Sequence, residues 1–231
     1  MESYTFNYNY VNSQNLGVLL SETPAIKKPK MRYKSTEVDG IDGALYEELG
    51  YSAYEKTLKL YIKNKSYIKD IQQWLTGSGE LILFNEPDKI YDAYLYDEIE
   101  YIRQSRFITA EAKFIVQPYK RALQDEYINL GTNTLNNVYN DGNIQSLPII
   151  SITAMGNVQL ILNNSIICTL DFGETERTLE LNSQKQDCYC DGVLANRSMN
   201  GEFPALRIQN NIIRAVGTVS EFKIKKGERW V

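Results

Sequence analysis

The chain has 231 residues, a hydrophobic content of 43% and a formal net charge of −4. That length supports one large or two small domains, each able to bury a core, and the acidic balance argues against broad binding to a phosphate backbone. There is no histidine, which removes Ser-His-Asp and Cys-His nucleophile systems and every zinc site that needs an imidazole.

No basic, apolar leader opens the sequence, and no apolar run approaches the roughly 20 residues that span a bilayer. The expectation is a soluble protein folded in a cytoplasm. Residues 5–10 and 16–21 read as opening strands. Residues 31–38 and 43–48, around Asp39-Gly40, read as a β-hairpin with a glycine-containing loop. Residues 57–63 alternate, with Leu58, Leu60 and Ile62 on one side. Ser66 is the expected N-cap of a helix over residues 67–75, and Asp70 lies in its first turns, where negative charge suits the dipole. Ile68, Ile71 and Leu75 share a face flanked by Tyr67 and Trp74, the spacing of a short amphipathic helix laid on a sheet.

Gly77 stands where a C-terminal cap needs positive φ. The Gly77-Ser78-Gly79 run leads from a helix into a strand, the reverse of a phosphate-binding loop. The strand ends in a proline-bearing turn at Pro87. Residues 91–104 and 107–117 then read as two long alternating strands joined by a tight polar turn. In the second, Ile108, Ala110, Ala112, Phe114 and Val116 share a face.

The organisation divides near residue 122, giving expected domains of 1–122 and 123–231. Fifteen of the 17 tyrosines fall by Tyr127. Residues 127–145 are polar and Asn-rich, with Asp141-Gly142 as a turn signal. Beyond them a period of two runs through Ile150 and Ile152, Val158, Leu160 and Leu162, and Ile166, Cys168 and Leu170. Leu179 and Leu181, Phe203 and Ala205, and Phe222 and Ile224 continue it. Turn signals at Gly156-Asn157, Asn163-Asn164, Asp191-Gly192 and Asn210-Asn211 recur at intervals suited to a sandwich or jelly roll. The predicted fold class is mainly β, with one short α-helix and an extended hairpin in the first domain.

Cys168, Cys188 and Cys190 cannot complete a four-cysteine zinc site, and their odd number disfavours a disulfide framework. They read as small apolar residues in β structure. A glycosidase pair needs only two carboxylates, and Glu98 and Glu100 are candidates, but alternation in residues 94–102 also explains them as one wet face of a strand. No catalytic, cofactor-binding or metal residue is selected, no cofactor is expected, and a building block is expected rather than an enzyme.

Six stretches in order carry a resemblance: Asp39-Gly40-Ile41-Asp42-Gly43-Ala44-Leu45, Gly50-Tyr51-Ser52-Ala53-Tyr54-Glu55-Lys56-Thr57, residues 74–89, Asp97-Glu98-Ile99, Phe114-Ile115-Val116-Gln117-Pro118-Tyr119-Lys120 and Lys226-Gly227-Glu228-Arg229-Trp230. Over nearly the whole chain the sequence resembles the distal tail (Dit) proteins of siphophages. The resemblance implies a hexameric ring at the virion tail tip, joining the tail tube protein to the tail-associated lysin, the baseplate or receptor-binding proteins. It also implies an N-terminal β-sandwich whose hairpin, the belt, reaches a neighbouring subunit, followed by a galectin-like C-terminal sandwich. Residues 31–45 are the candidate belt, with an ordinary surface hairpin as the competing reading.

The other reading is a carbohydrate-binding module acting at a bacterial surface, since galectin-like folds are shared with such modules. Sugar stacking needs exposed aromatics, and the second domain offers Phe172, Tyr189, Phe203, Phe222, Trp230 and Tyr139, of which Phe203 and Phe222 fall in apolar alternation. The net negative charge is compatible with a lumen through which DNA passes without adhering.

Overall fold

The alternating residues of the first part become adjacent central strands. The computed structural model describes residues 4–40 and 42–231; Ile41, within the residue 39–45 motif, lies outside the described residues. The chain divides into two compact units, one of residues 1–123 with Val231 and the other of residues 124–230.

In the first unit the strands are β1 (Phe6–Tyr8), β2 (Val11–Asn12), β3 (Val18–Leu20), β4 (Met31–Glu37), β5 (Ala44–Tyr51), β6 (Tyr54–Ile62), β7 (Gly77–Leu83), β8 (Glu86–Leu95), β9 (Tyr101–Arg103) and β10 (Ile108–Ala122). They pair antiparallel in the order β2-β1-β7-β8-β10-β6-β3, with β9 on β10 and β4-β5 forming a sheet of their own. The β10 register against β6 sets Ile108, Ala110 and Ala112 opposite Ile62, Leu60 and Leu58. All six are buried, as their alternation predicts.

The helix α1 (Ile68–Trp74) is shorter than expected, and its cap differs. Residues Lys65–Tyr67 form a 3₁₀ turn capped by Asn64, whose Oδ1 accepts from Ser66 N at 3.0 Å. Ser66 is thus the capped residue rather than the cap. Gly77 has φ +69, but it opens β7, and Leu75 holds the C-cap position. The apolar face is as read: Ile71 and Leu75 are buried, with Ile68 and Trp74 packed against the core. Trp74 stacks on Phe6 with centroids 5.4 Å apart, and its Nε1 donates to Tyr8 O at 2.8 Å.

The long strand expected over residues 91–104 is interrupted. Phe114 faces Leu95 and Ala110 faces Tyr101, so residues 96–100 span only the three β10 residues between them. The segment bulges out, and Asp97 Oδ1 accepts locally from Glu98 N at 3.0 Å instead of joining the ladder. At its other end β10 runs past residue 117 through Pro118 to Ala122, with its register against β8 shifted between Val116 and Lys120.

The second unit contains β11 (Ile128–Asn129), β12 (Asn136–Asn140), β13 (Ile149–Leu162), β14 (Ser165–Asp171), β15 (Arg177–Asn182), β16 (Asp187–Cys190), β17 (Val193–Leu194), β18 (Met199–Gly201) and β19 (Gln209–Lys225). Their order is β11-β19-β13-β15-β16-β17, with β12 on β19, β14 on β13 and β18 on β14. Both units are mainly β, consistent with sandwich or jelly-roll-like layering.

Asn163-Asn164 takes positive φ at both residues (51° and 70°), as does Asp191-Gly192 (48° and 81°), so both make the tight hairpin turns their composition predicts. Two other signals are not turns. Gly156, at φ +73, sits inside β13, where the register against β19 slips between Met155 and Gln159, so it marks a bulge. Asn210-Asn211 lies inside β19.

Leu160 pairs with Cys168 but Ile161 pairs with Ile166, and this slip turns Ile166 outward although Cys168 and Leu170 are buried. Residues 203–205 form no strand, and it is Pro204 and Leu206 that are buried. Among the described residues no helix is long and apolar enough to cross a membrane.

Candidate functional site

The β4-β5 hairpin is exposed along most of its length. Six of the seven β4 residues and five of the eight in β5 are exposed. The register pairs Lys34 with Glu47, Ser35 with Tyr46 and Thr36 with Leu45, and Glu37 opposite Ala44 closes a loop containing Gly40 and Gly43 at φ +84 and +93. Tyr33 and Tyr46 meet edge to face at 5.4 Å on one side, while Leu45 projects from the other. Tyr46 and Leu45 are 68% and 63% exposed, and Tyr33, Val38 and Leu49 are exposed as well.

At the base, Ser52 N donates to Lys30 O at 2.9 Å, Arg32 Nη2 donates to Leu49 O at 3.0 Å, and Tyr51 packs edge-on against Tyr119 at 6.1 Å. A two-stranded ribbon is marginal by itself in water, and clustered apolar side chains on both faces mark a contact surface.

Beneath the sheet lies an ionic cluster that sequence reasoning missed. Lys56 is 1% exposed and occupies the inward phase of β6 with Leu58, Leu60 and Ile62. Its Nζ donates to Ala25 O at 2.9 Å and lies 4.6 Å from the centre of the Tyr91 ring. Glu86 accepts from Lys120 Nζ at 2.9 Å and from the Tyr91 hydroxyl. A lysine in an inward position of an otherwise apolar alternation was the available signal.

Burial pushes the Lys56 pKa down to about 8 against the opposing pull of Glu86. Burial would raise the Glu86 pKa, but hydrogen bonds from Tyr91 and Lys120 and the charges of Lys120 and Lys89 outweigh it and hold the carboxyl below its ordinary value. Burial and the charge of Glu86 raise the Tyr54 hydroxyl to about 12. This arrangement anchors the start of β8 to β6 and β10, and Lys56 carries a net cost.

Lys56 binds a proton less readily in the folded protein than in the unfolded chain. Stability of the first unit therefore rises with pH from about 8 to about 10. Lys56→Met is expected to stabilise that unit by about 1–3 kcal/mol at pH 7 and to flatten the rise. Urea denaturation across this pH range, read by hydrogen exchange of β6 and β10 amides, checks it.

Glu98 and Glu100 lie in the bulged segment, not on a strand. They line a groove of about 400 Å³ with Asp97, Glu111, Lys59 and Lys113, and Asp97 is paired with Lys113 at 3.3 Å. Among the described residues no group of three or more Cys, Asp or Glu side chains could hold a metal ion. Cys168 and Cys188 are buried free thiols, and burial raises them to about 12 and about 11, far from a reactive thiolate. Of the six aromatics considered for sugar stacking, Phe172 and Phe222 are core, Tyr189, Phe203 and Trp230 are half-buried, and Tyr139 alone is exposed.

The whole described architecture has a counterpart among solved structures. The Dit (gp 19.1) protein of SPP1, described as a paradigm of the hub adsorption apparatus in phages infecting Gram-positive bacteria, superimposes with a TM-score of 0.80. The match covers 98% of this chain and 99% of that one at 14% identity. The chain has the Dit fold.

Two chains of the phage P2 baseplate in its activated conformation, with Ca and with Sr, align over 99% of each chain at 12% and 13% identity. Their TM-scores of 0.48 lie below the level at which a common fold follows. No protein-family model matches the chain, and no curated protein matches it in sequence.

Proposed function

We propose that the chain is a structural subunit of a phage or prophage tail tip, a Dit-type hub whose work is done by interfaces rather than catalysis. Correspondence with the Dit fold across both compact units carries the reading. In it the first unit, residues 1–122 by sequence, builds a hexameric ring, and the second, residues 123–231, is a galectin-like sandwich. The ring joins the tail tube to the tail-associated lysin and to baseplate or receptor-binding proteins. The β4-β5 hairpin is the belt that reaches the neighbouring subunit, because its exposed Tyr33, Leu45 and Tyr46 need a surface to cover them.

The carbohydrate-binding reading has Tyr139 as its one exposed aromatic platform among those considered, and it is the weaker of the two. Gold-labelled antibody against the chain, applied to tailed particles induced from the source host, tests the assignment. Label at the distal tail end is the expected result. Unlabelled particles, or label on the capsid, would contradict it.

A further inference from the structure

In the second unit a half-buried cation lies among aliphatic side chains, with no ion pair to it among the described residues. Arg214 is on β19 between the buried Ile213 and Ala215, so its side chain belongs to the outward face of the sheet. Register extends this face into a row across three strands and the residue that precedes β12. Arg214 pairs with Ile161 of β13, and Ile161 pairs with Ile166 of β14. On the other flank Asn136 pairs with Ile213, which brings Leu135 beside Arg214. Leu135 and Ile166 are 68% and 58% exposed, and Ile212, in the next row, is also exposed.

Among the described residues Arg214 makes no ion pair, and its Nε is sealed from water without an acceptor. A guanidinium stripped of part of its hydration and left unpaired is costly, whereas a carboxylate offers it a bidentate, charge-assisted partner. The flanking side chains are aliphatic, which suits the side chains of another protein better than the faces of sugar rings. We infer that the Leu135–Arg214–Ile161–Ile166 row docks a partner protein that sets an Asp or Glu carboxylate onto Arg214 between aliphatic side chains. The inference stands apart from the tail-tip reading, because it uses only the second unit's own face.

Yeast displaying random peptides, sorted against the full-length chain, tests it. Enriched peptides are expected to carry Asp or Glu flanked by Leu, Ile or Val. Their affinity is expected to fall about tenfold on Arg214→Met and on Ile166→Ser, and to be unchanged on Arg103→Met in the first unit. Arg214→Lys, which keeps the charge but loses the planar fork, is also expected to weaken binding. Melting temperatures at or above the parent's identify variants whose fold is intact. Enriched peptides without carboxylates, or no enrichment, would overturn the inference, as would affinities indifferent to Arg214. Self-association abolished by Arg214→Met would also overturn it, since the occupant would then be a second copy.

Discussion

Replacing Glu86 with alanine is expected to destabilise the first unit by about 3–5 kcal/mol, the largest effect of any single substitution argued from this structure. The carboxylate is buried and accepts from Lys120 Nζ and the Tyr91 hydroxyl. Its removal leaves the Lys120 side chain, only 6% exposed, and the buried Lys56 side chain without the carboxylate whose charge acts on both. Truncating one partner of a buried pair costs more than the pair is worth, because the other charge stays behind uncompensated.

The double variant Glu86→Met with Lys120→Met separates the two contributions. It removes both charges at near-constant volume and is expected to recover most of the loss. Because the carboxyl is held below its ordinary pKa, its contribution is present above the ordinary carboxylate value and is lost as pH falls from there through the lowered value it has in the folded protein. Hydrogen exchange of β8 and β10 amides reads the first unit separately from the second. A loss below about 1 kcal/mol would mean that the cluster does not hold the strands together.

The second large effect falls on assembly rather than folding. Residues 31–45 were the candidate belt from sequence, but β5 continues to Tyr51, so removing only those residues would strand half a ribbon. A cleaner excision joins Lys30 to Ser52, whose backbones already meet at 2.9 Å, and discards the hairpin. Neither strand pairs with the main sheet, so both cores are expected to remain folded while the proposed ring is lost. A milder version replaces Tyr33, Leu45 and Tyr46 with serine. These side chains are exposed in the isolated chain, so the folding cost is expected to be within roughly 0.5 kcal/mol each, with a large drop in association. Rings that survive either change would reject the belt assignment.

What the sequence made legible follows the reach of local patterns. Alternation located β6 and β10 with their inward residues, because a period of two is fixed by backbone geometry whatever lies across the sheet. The two asparagine- and aspartate-bearing hairpin turns were readable for the same local reason. The misread positions depend on partners distant in sequence. Gly156 marks a bulge because β19 slips against it, and Ile166 faces outward because one extra residue enters β14.

The Lys56, Glu86, Tyr91 and Lys120 cluster joins groups on three strands, and no local pattern brings them together. The hairpin was visible as two strands about a glycine loop, but its exposure was not. Among the described residues β4 and β5 pair with each other alone, and the exposure of Tyr33, Leu45 and Tyr46 shows that their unit leaves them uncovered.

Uncovered surfaces that close a ring, as proposed, fix the mass of the particle. Native mass spectrometry of the full-length chain, repeated over a wide dilution series, is expected to show a particle of about 160 kDa, six times the 26.5 kDa chain, that persists on dilution. A 26.5 kDa species at every concentration, with the purified chain binding cell-wall glycan, would contradict the account.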